Sequence, residues 1–154
     1  MSPLTLRHSE TVDWLVSCDP LTVVLWFDST VDTTGFDALG EYTEMFWLPV
    51  IGPTATLALR RLCRWTDESP NGFRVTLDNL AATLGLGKAT SRNSSLVRTL
   101  TRLVDFGFAR REDDNFAVRH TVPIVPARLT ERFPTGLAHR HRQVVDALTA
   151  AGVS

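Results

Sequence analysis

The stretch whose reading decides the fold runs Leu80-Ala-Ala-Thr-Leu-Gly-Leu-Gly87 and resumes as Leu96-Val-Arg-Thr-Leu-Thr-Arg-Leu-Val-Asp-Phe-Gly-Phe-Ala-Arg-Arg111. Leu96, Leu100 and Leu103 recur at spacings of four and three, which places them on one face of a helix. Gly85 and Gly107 follow the last apolar residues, where glycine closes a helix at little steric cost. The sequence predicts one helix over 79–84, capped by Asp78, and a second from about Ser91–Ser94 to Phe106. Phe108–Glu112 and Phe116–His120 flank Asp113-Asp114-Asn115 and read as a β-hairpin.

Upstream, Gly52-Pro53 starts a helix that runs to about Trp65, since proline at the first helical position loses no needed hydrogen bond. Ala55, Leu59, Leu62 and Cys63 share one of its faces, and Arg60, Arg61 and Arg64 another. Phe73–Leu77 alternates as a short strand. The apolar spacing predicts a core of Leu59, Leu62, Leu80, Leu84, Leu96, Leu100, Leu103 and Phe106. Further out, Val12, Leu15 and Val16 suggest a short helix or loose arm before Pro20, and Leu21–Phe27 reads as a buried strand. Residues 28–40 are rich in turn formers, and 41–48 suit one or two helical turns. Pro123, Pro126 and Pro134 mark an extended arm. A final helix over 136–151 carries Leu137, His141, Val144, Leu148 and Ala151 on one face, with His141 packed. That stripe is expected to cover itself on its own chain or on a second copy.

The order from Pro53 to His120 is therefore helix, strand, helix, turn, helix, hairpin, the order of a winged helix-turn-helix. The two quoted segments resemble the apolar-and-glycine pattern of bacterial winged-helix domains. Phe46–Leu62, with its Pro-Val-Ile-Gly phrase, is similar to the first helix of the N-terminal winged-helix domain of DnaD/DnaB replication-initiation proteins. Residues 26–142 also resemble a family of small actinobacterial proteins. The resemblance implies a mostly α fold with a small antiparallel β-hairpin: an acidic N-terminal extension over 1–44 containing one strand, a winged helix over 45–122, and a proline-containing arm with a C-terminal helix over 123–154. It implies DNA binding and, from the DnaD/DnaB proteins, self-association. The connection Gly85–Ser91 departs from the pattern, in which three or four residues usually suffice.

The charge is split along the chain. Residues 1–59 hold Arg7 against eight acids, and residues 60–154 hold fifteen bases against nine acids, within a net charge of −1. A basic half suits a polyanion, and an acidic half suits a protein partner or the chain's own basic surface. On the helix over 92–106, Ser94, Ser95, Arg98, Thr101, Arg102 and Asp105 lie opposite the leucines. Arginines four apart project together and can contact guanine edges or phosphates. The expected DNA-binding residues are Lys88, Arg92, Ser94, Ser95, Arg98, Thr101 and Arg102, with Arg110 and Arg111 from the hairpin. Its acidic tip, Glu112-Asp113-Asp114, opposes DNA. The expected partners are double-stranded DNA, a second copy through the C-terminal helix, and a protein at the acidic N-terminal segment. Removal of the segment before residue 45 is expected to strengthen DNA binding if the core remains folded.

Other chemistries find little support. Gly85-Leu-Gly-Lys88 has Ala82 and Ala89 where a phosphate loop needs glycine and Ser/Thr. His139 and His141 are two apart and point about 200° away from each other on a helix. No nucleophile–base pattern appears, so neither enzyme activity, cofactor nor metal is expected. Cys18 and Cys63 stand alone, no apolar run reaches the roughly 18–20 residues that span a bilayer, and the first residues lack a secretory pattern. These features lead to the expectation of a reduced, cytoplasmic setting.

Overall fold

The computed structural model describes residues 8–89 and 91–152. The chain is mostly helical around a small mixed sheet. Strand β1 (Leu21–Trp26) is β-branched and aromatic, and it forms the interior of that sheet. It pairs antiparallel with β3 (Phe73–Val75), with Leu21 opposite Val75, and parallel with β5 (Asn115–Arg119), with Val23 opposite Phe116. The edge strand β4 (Ala109–Glu112) pairs antiparallel with β5, giving the order β3-β1-β5-β4. Phe116, Ala117 and Val118 are buried consecutively, which requires cover on both faces of the sheet. A second small sheet joins β2 (Phe36–Asp37) to β6 (Thr121–Val122).

Helices supply that cover. Helix α1 (His8–Ser17) buries Val12, Trp14 and Leu15, and Trp14 stacks on Phe116 at 6.1 Å between ring centroids. Asp28 caps α2 (Ser29–Thr34) by accepting from the Thr30 and Val31 amides. A π-helical stretch over Thr43–Trp47 leads into α3 (Leu48–Ile51), which ends at Gly52 with φ +88°. Only glycine takes that conformation without strain, and it allows α4 (Pro53–Glu68) to begin immediately afterwards. Helices α5 (Leu77–Thr83) and α6 (Ser95–Asp105) complete the centre, and α7 (Ala127–Thr130) and α8 (Thr135–Ala150) close the chain. After α6, Gly107 at φ +80° lets the Phe108 amide bond to the Leu103 carbonyl and the Gly107 amide to that of Val104, the double bond pattern of a glycine-terminated helix.

Leu59, Leu62, Leu80, Leu96, Leu100 and Leu103 are fully buried, as their spacing implies. Leu84 is only partly buried, and Phe106, 37% exposed, lies at the helix end where the stripe turns away from the core. Thr76 rather than Asp78 caps α5, accepting from the Asn79 amide. Asp78 instead accepts from the Ala89 amide at 2.9 Å and ties down the connection between α5 and α6.

Residues 8–44 are not a separable extension. Strand β1 lies between β3 and β5, and Trp14 and Leu15 belong to the common core. The sheet also contains a parallel pair, so it is more than the expected hairpin. Helix α8 docks on its own chain. Tyr42 Oη accepts from the Val125 amide at 2.9 Å and lies 2.7 Å from His141 Nε2. Phe46 and Phe133 flank the imidazole at 4.9 and 5.9 Å. Leu137 and Val144 pack against the same cluster.

Two predictions follow from this packing. A chain beginning at residue 45 loses the strand between β3 and β5, and its circular dichroism melt is expected to lack a cooperative transition. The milder Leu15→Ala change should cost about 2–5 kcal/mol in chemical denaturation. The second concerns His141, whose pKa burial lowers below 6.5. The folded state then binds fewer protons than the unfolded one, so the stability contributed by neutral His141 is complete above about pH 6.5 and declines as pH falls below it. The loss is at most about 1.4 kcal/mol per pH unit. Denaturant titrations at pH 7.5 and 5.5 should show it in the wild type and much less in His141→Gln.

Candidate nucleic-acid interface

The sides of α6 have different surroundings. Its leucines enter the core, and Ser94 caps it by accepting from the Val97 amide at 3.2 Å. Helix α1 packs along a second side. His8 Nδ1 lies 2.9 Å from Asp105 Oδ2 near the end of α6, and Asp13 forms an ion pair with Arg92 just before its start. The two helices therefore run antiparallel. Val97 and Thr101, one step round from the leucines, are fully buried, and the Thr101 hydroxyl donates to the Val97 carbonyl at 2.7 Å. The expectation for Thr101 and Ser94 is thus corrected: neither is free to face a nucleic acid, because one is fully buried with its hydroxyl bonded to Val97 and the other is occupied as a cap.

Ser95, Arg98 and Arg102 remain exposed on the third side. The Arg102 guanidinium lies 5.6 Å from the centroid of Phe106. Among the described residues, no carboxylate lies within ion-pair distance of Arg98 or Arg102. With Thr99, these residues line a cavity of about 420 Å³ whose opposite wall is Ile51–Ala55 with Leu86. Lys88, also exposed, lies on the connection leading to α6.

A neighbouring cavity of about 260 Å³ is lined by Leu57, Arg60, Arg61, Arg64, Thr83 and Leu84. Arg60 is committed to structure, donating to the Gly40 carbonyl at 3.0 Å. Arg61 lies 5.8 Å from the Trp65 ring centroid. The turn at Leu84–Leu86 contributes to both cavities, so the start of α6 and the outer face of α4 form adjoining basic surfaces without a lining carboxylate.

The hairpin differs. Its two-residue tip is Asp113-Asp114, with Asp113 at φ +56°. Arg110 pairs with Glu112 at 3.1 Å and lies 4.3 Å from the Trp26 centroid. Arg111 pairs with Asp114 at 2.6 Å and donates to the Asp113 carbonyl. Arg119 lies 3.6 Å from the same ring centroid and bonds to Asp28 at 2.9 Å. The hydrogen bond from Arg119 holds the Asp28 carboxyl below its ordinary pKa. Both expected hairpin arginines are therefore engaged locally. Arg92 is engaged too, so of the nine expected contacts Lys88, Ser95, Arg98 and Arg102 are left exposed and free of an ion pair.

The sequence reading missed the wall formed by Gly52, Pro53 and Thr54. The helix start was legible there, but its closeness to Arg98 is a tertiary fact. Elsewhere, burial pushes the Cys63 thiol up to about 12, and its Sγ donates to the Arg119 carbonyl. Burial likewise pushes the Tyr42 hydroxyl up to about 12. Among the described residues there is no cluster of metal-ligating side chains and no helix long and apolar enough to cross a membrane. Comparison with family models, curated proteins and solved structures finds no match for the chain.

The contrast between the sides of α6 is measurable. Thr101→Glu places an unpaired carboxylate at a fully buried position and should destabilise the protein by about 3 kcal/mol or more. Arg98→Ala, at an exposed position, should stay within about 0.5 kcal/mol of wild type. Denaturant midpoints of the two variants provide the check.

Proposed function

We propose that residues 53–119 are a winged helix with an additional strand, β1, between its first strand and its hairpin, and that the protein binds double-stranded DNA through Ser95, Arg98 and Arg102. The observation that carries this reading is the pair of exposed guanidiniums on α6, unpaired and beside a cavity with no lining carboxylate. Free cations in such a setting favour a polyanion, because each neutralised phosphate releases condensed counterions. Lys88, Arg61 and Arg64 add positive charge around the same region. The hairpin contributes little, since its tip is acidic and its arginines are already paired.

A second reading is a protein-interaction or self-assembly module. Phe27 at 76% and Leu57 at 61% exposure favour it, as large apolar side chains on separate parts of the surface. Fluorescence anisotropy with duplex DNA distinguishes the readings. On the DNA reading, folded wild type binds at low salt, affinity falls steeply as salt rises, and Arg98→Ala reduces the salt slope by about one unit. Absence of binding at low salt across a broad library of fragments removes the DNA reading and puts the interaction module first.

A further inference from the structure

The cavity beside α6 has features that the DNA reading alone does not require. It is a recess, whereas contact with base edges in a major groove calls for a protruding ridge. At about 420 Å³ it falls in the size range of small-molecule sites, with room for a phosphate and its attached sugar. Arg98 and Arg102 line one side, and Thr54 and Ser95 bring hydroxyls for which no hydrogen bond is formed among the described residues. The first-turn amides of α4, at Thr54 and Ala55, have no acceptor within their helix and add donors to the opposite wall. Gly52 forms part of the same wall, and no atom lies within 4 Å of its Cβ position. Meanwhile, the groups at the start of α6 that could reach base edges are occupied: Arg92 by Asp13, Ser94 by the Val97 amide, and Thr101 by burial.

We propose that this cavity seats a phosphate group, held by the two guanidiniums, so that the protein takes its ligand by phosphate rather than by base identity. Two sources carry that chemistry, a DNA backbone and a soluble phosphate ester. The first rests on the DNA reading above. The arginine forks provide charge-assisted hydrogen bonds to phosphate oxygens, and the hydroxyls complete the set without any proton transfer or covalent step.

The test uses the full chain, labelled with ¹⁵N and titrated with inorganic phosphate at low ionic strength, followed by duplexes of unrelated sequence. Phosphate should shift the amide resonances of Thr54, Ala55 and Ser95. Arg98→Ala and Arg102→Ala should each weaken its binding by about tenfold, whereas Arg140→Ala, exposed on α8, should leave it unchanged. Thr54→Glu, which places a carboxylate in the recess from an exposed position, should abolish the shifts. If unrelated duplexes bind equally and phosphate competes with them, the backbone is the source. If phosphate shifts these amides while no duplex binds, the seat stands, its ligand is a soluble phosphate ester, and the DNA reading fails. If duplexes bind with a base preference that Arg98→Ala relaxes, and phosphate leaves these amides unmoved, the seat is overturned and the DNA reading survives. Neither phosphate shifts nor duplex binding overturns both.

Discussion

The parallel pairing of β1 with β5 is the constraint from which the rest of the molecule follows. It joins residues more than 90 positions apart and fills the gap between β3 and the hairpin, so that β5 acquires neighbours on both edges. A strand paired on both edges and buried at three successive residues cannot be withdrawn without exposing backbone donors and acceptors as well as apolar surface. Only Cys18 to Pro20 separate α1 from β1, so fixing β1 also confines α1 to the neighbourhood of the sheet. From there α1 stacks Trp14 on Phe116 and runs back along α6. The covered side of α6 is thus a consequence of sheet topology.

Local patterns were readable wherever a single helix or turn determines them. Leu96, Leu100 and Leu103 lie where their period puts them, Gly107 closes α6, and Asp113-Asp114 turns the hairpin. Thr101 was not readable in this way. On a helical wheel it falls away from the leucines, and a wheel assigns such a residue to solvent unless another element covers it. Here Thr101 shares a helical row with Asp105, which meets His8 of α1, and the position of α1 depends on a strand pairing that periodicity does not encode. The cap of α5 was misplaced by two residues, from Thr76 to Asp78, because both side chains can accept a backbone amide. The carboxylate of Asp78 reaches forward to Ala89 instead. The cavity wall at Gly52–Thr54 was hidden for the same reason as Thr101: each half is local, and their approach is not.

The buried polar groups support this division. Tyr42 connects three segments remote in sequence, accepting from the Val125 amide and contacting His141, while its ring stacks on Phe36 at 3.7 Å. Trp47 donates to the Pro123 carbonyl at 2.7 Å, and so anchors the start of the arm that carries α7 and α8. Buried donors and acceptors tolerate few alternative arrangements, because an unmatched partner costs about 1–3 kcal/mol. They fix the C-terminal helix more definitely than its modest apolar stripe would, and they explain why His141 packs inside while His139, two residues away, bonds to Gln143 at the surface.

The split in charge along the chain takes on a spatial meaning in the folded protein. Acids from the first 59 residues meet bases from the remainder where the two halves touch: Asp13 with Arg92, and Asp28 with Arg119. The hairpin arginines find acids in their own turn. Two of the front's acids therefore cancel bases of the back across their contact, while Arg98 and Arg102 stay outside any ion pair among the described residues. Both are exposed and line a cavity together with the first turn of α4. Exposed pairs such as Asp13–Arg92 are individually worth little, about 0–1 kcal/mol. Their larger effect is on selectivity, because each removes a cation from the surface available to an anion. Arg98 and Arg102 are thereby left as unpaired cations beside the first turn of α4, on a helix whose other sides are buried.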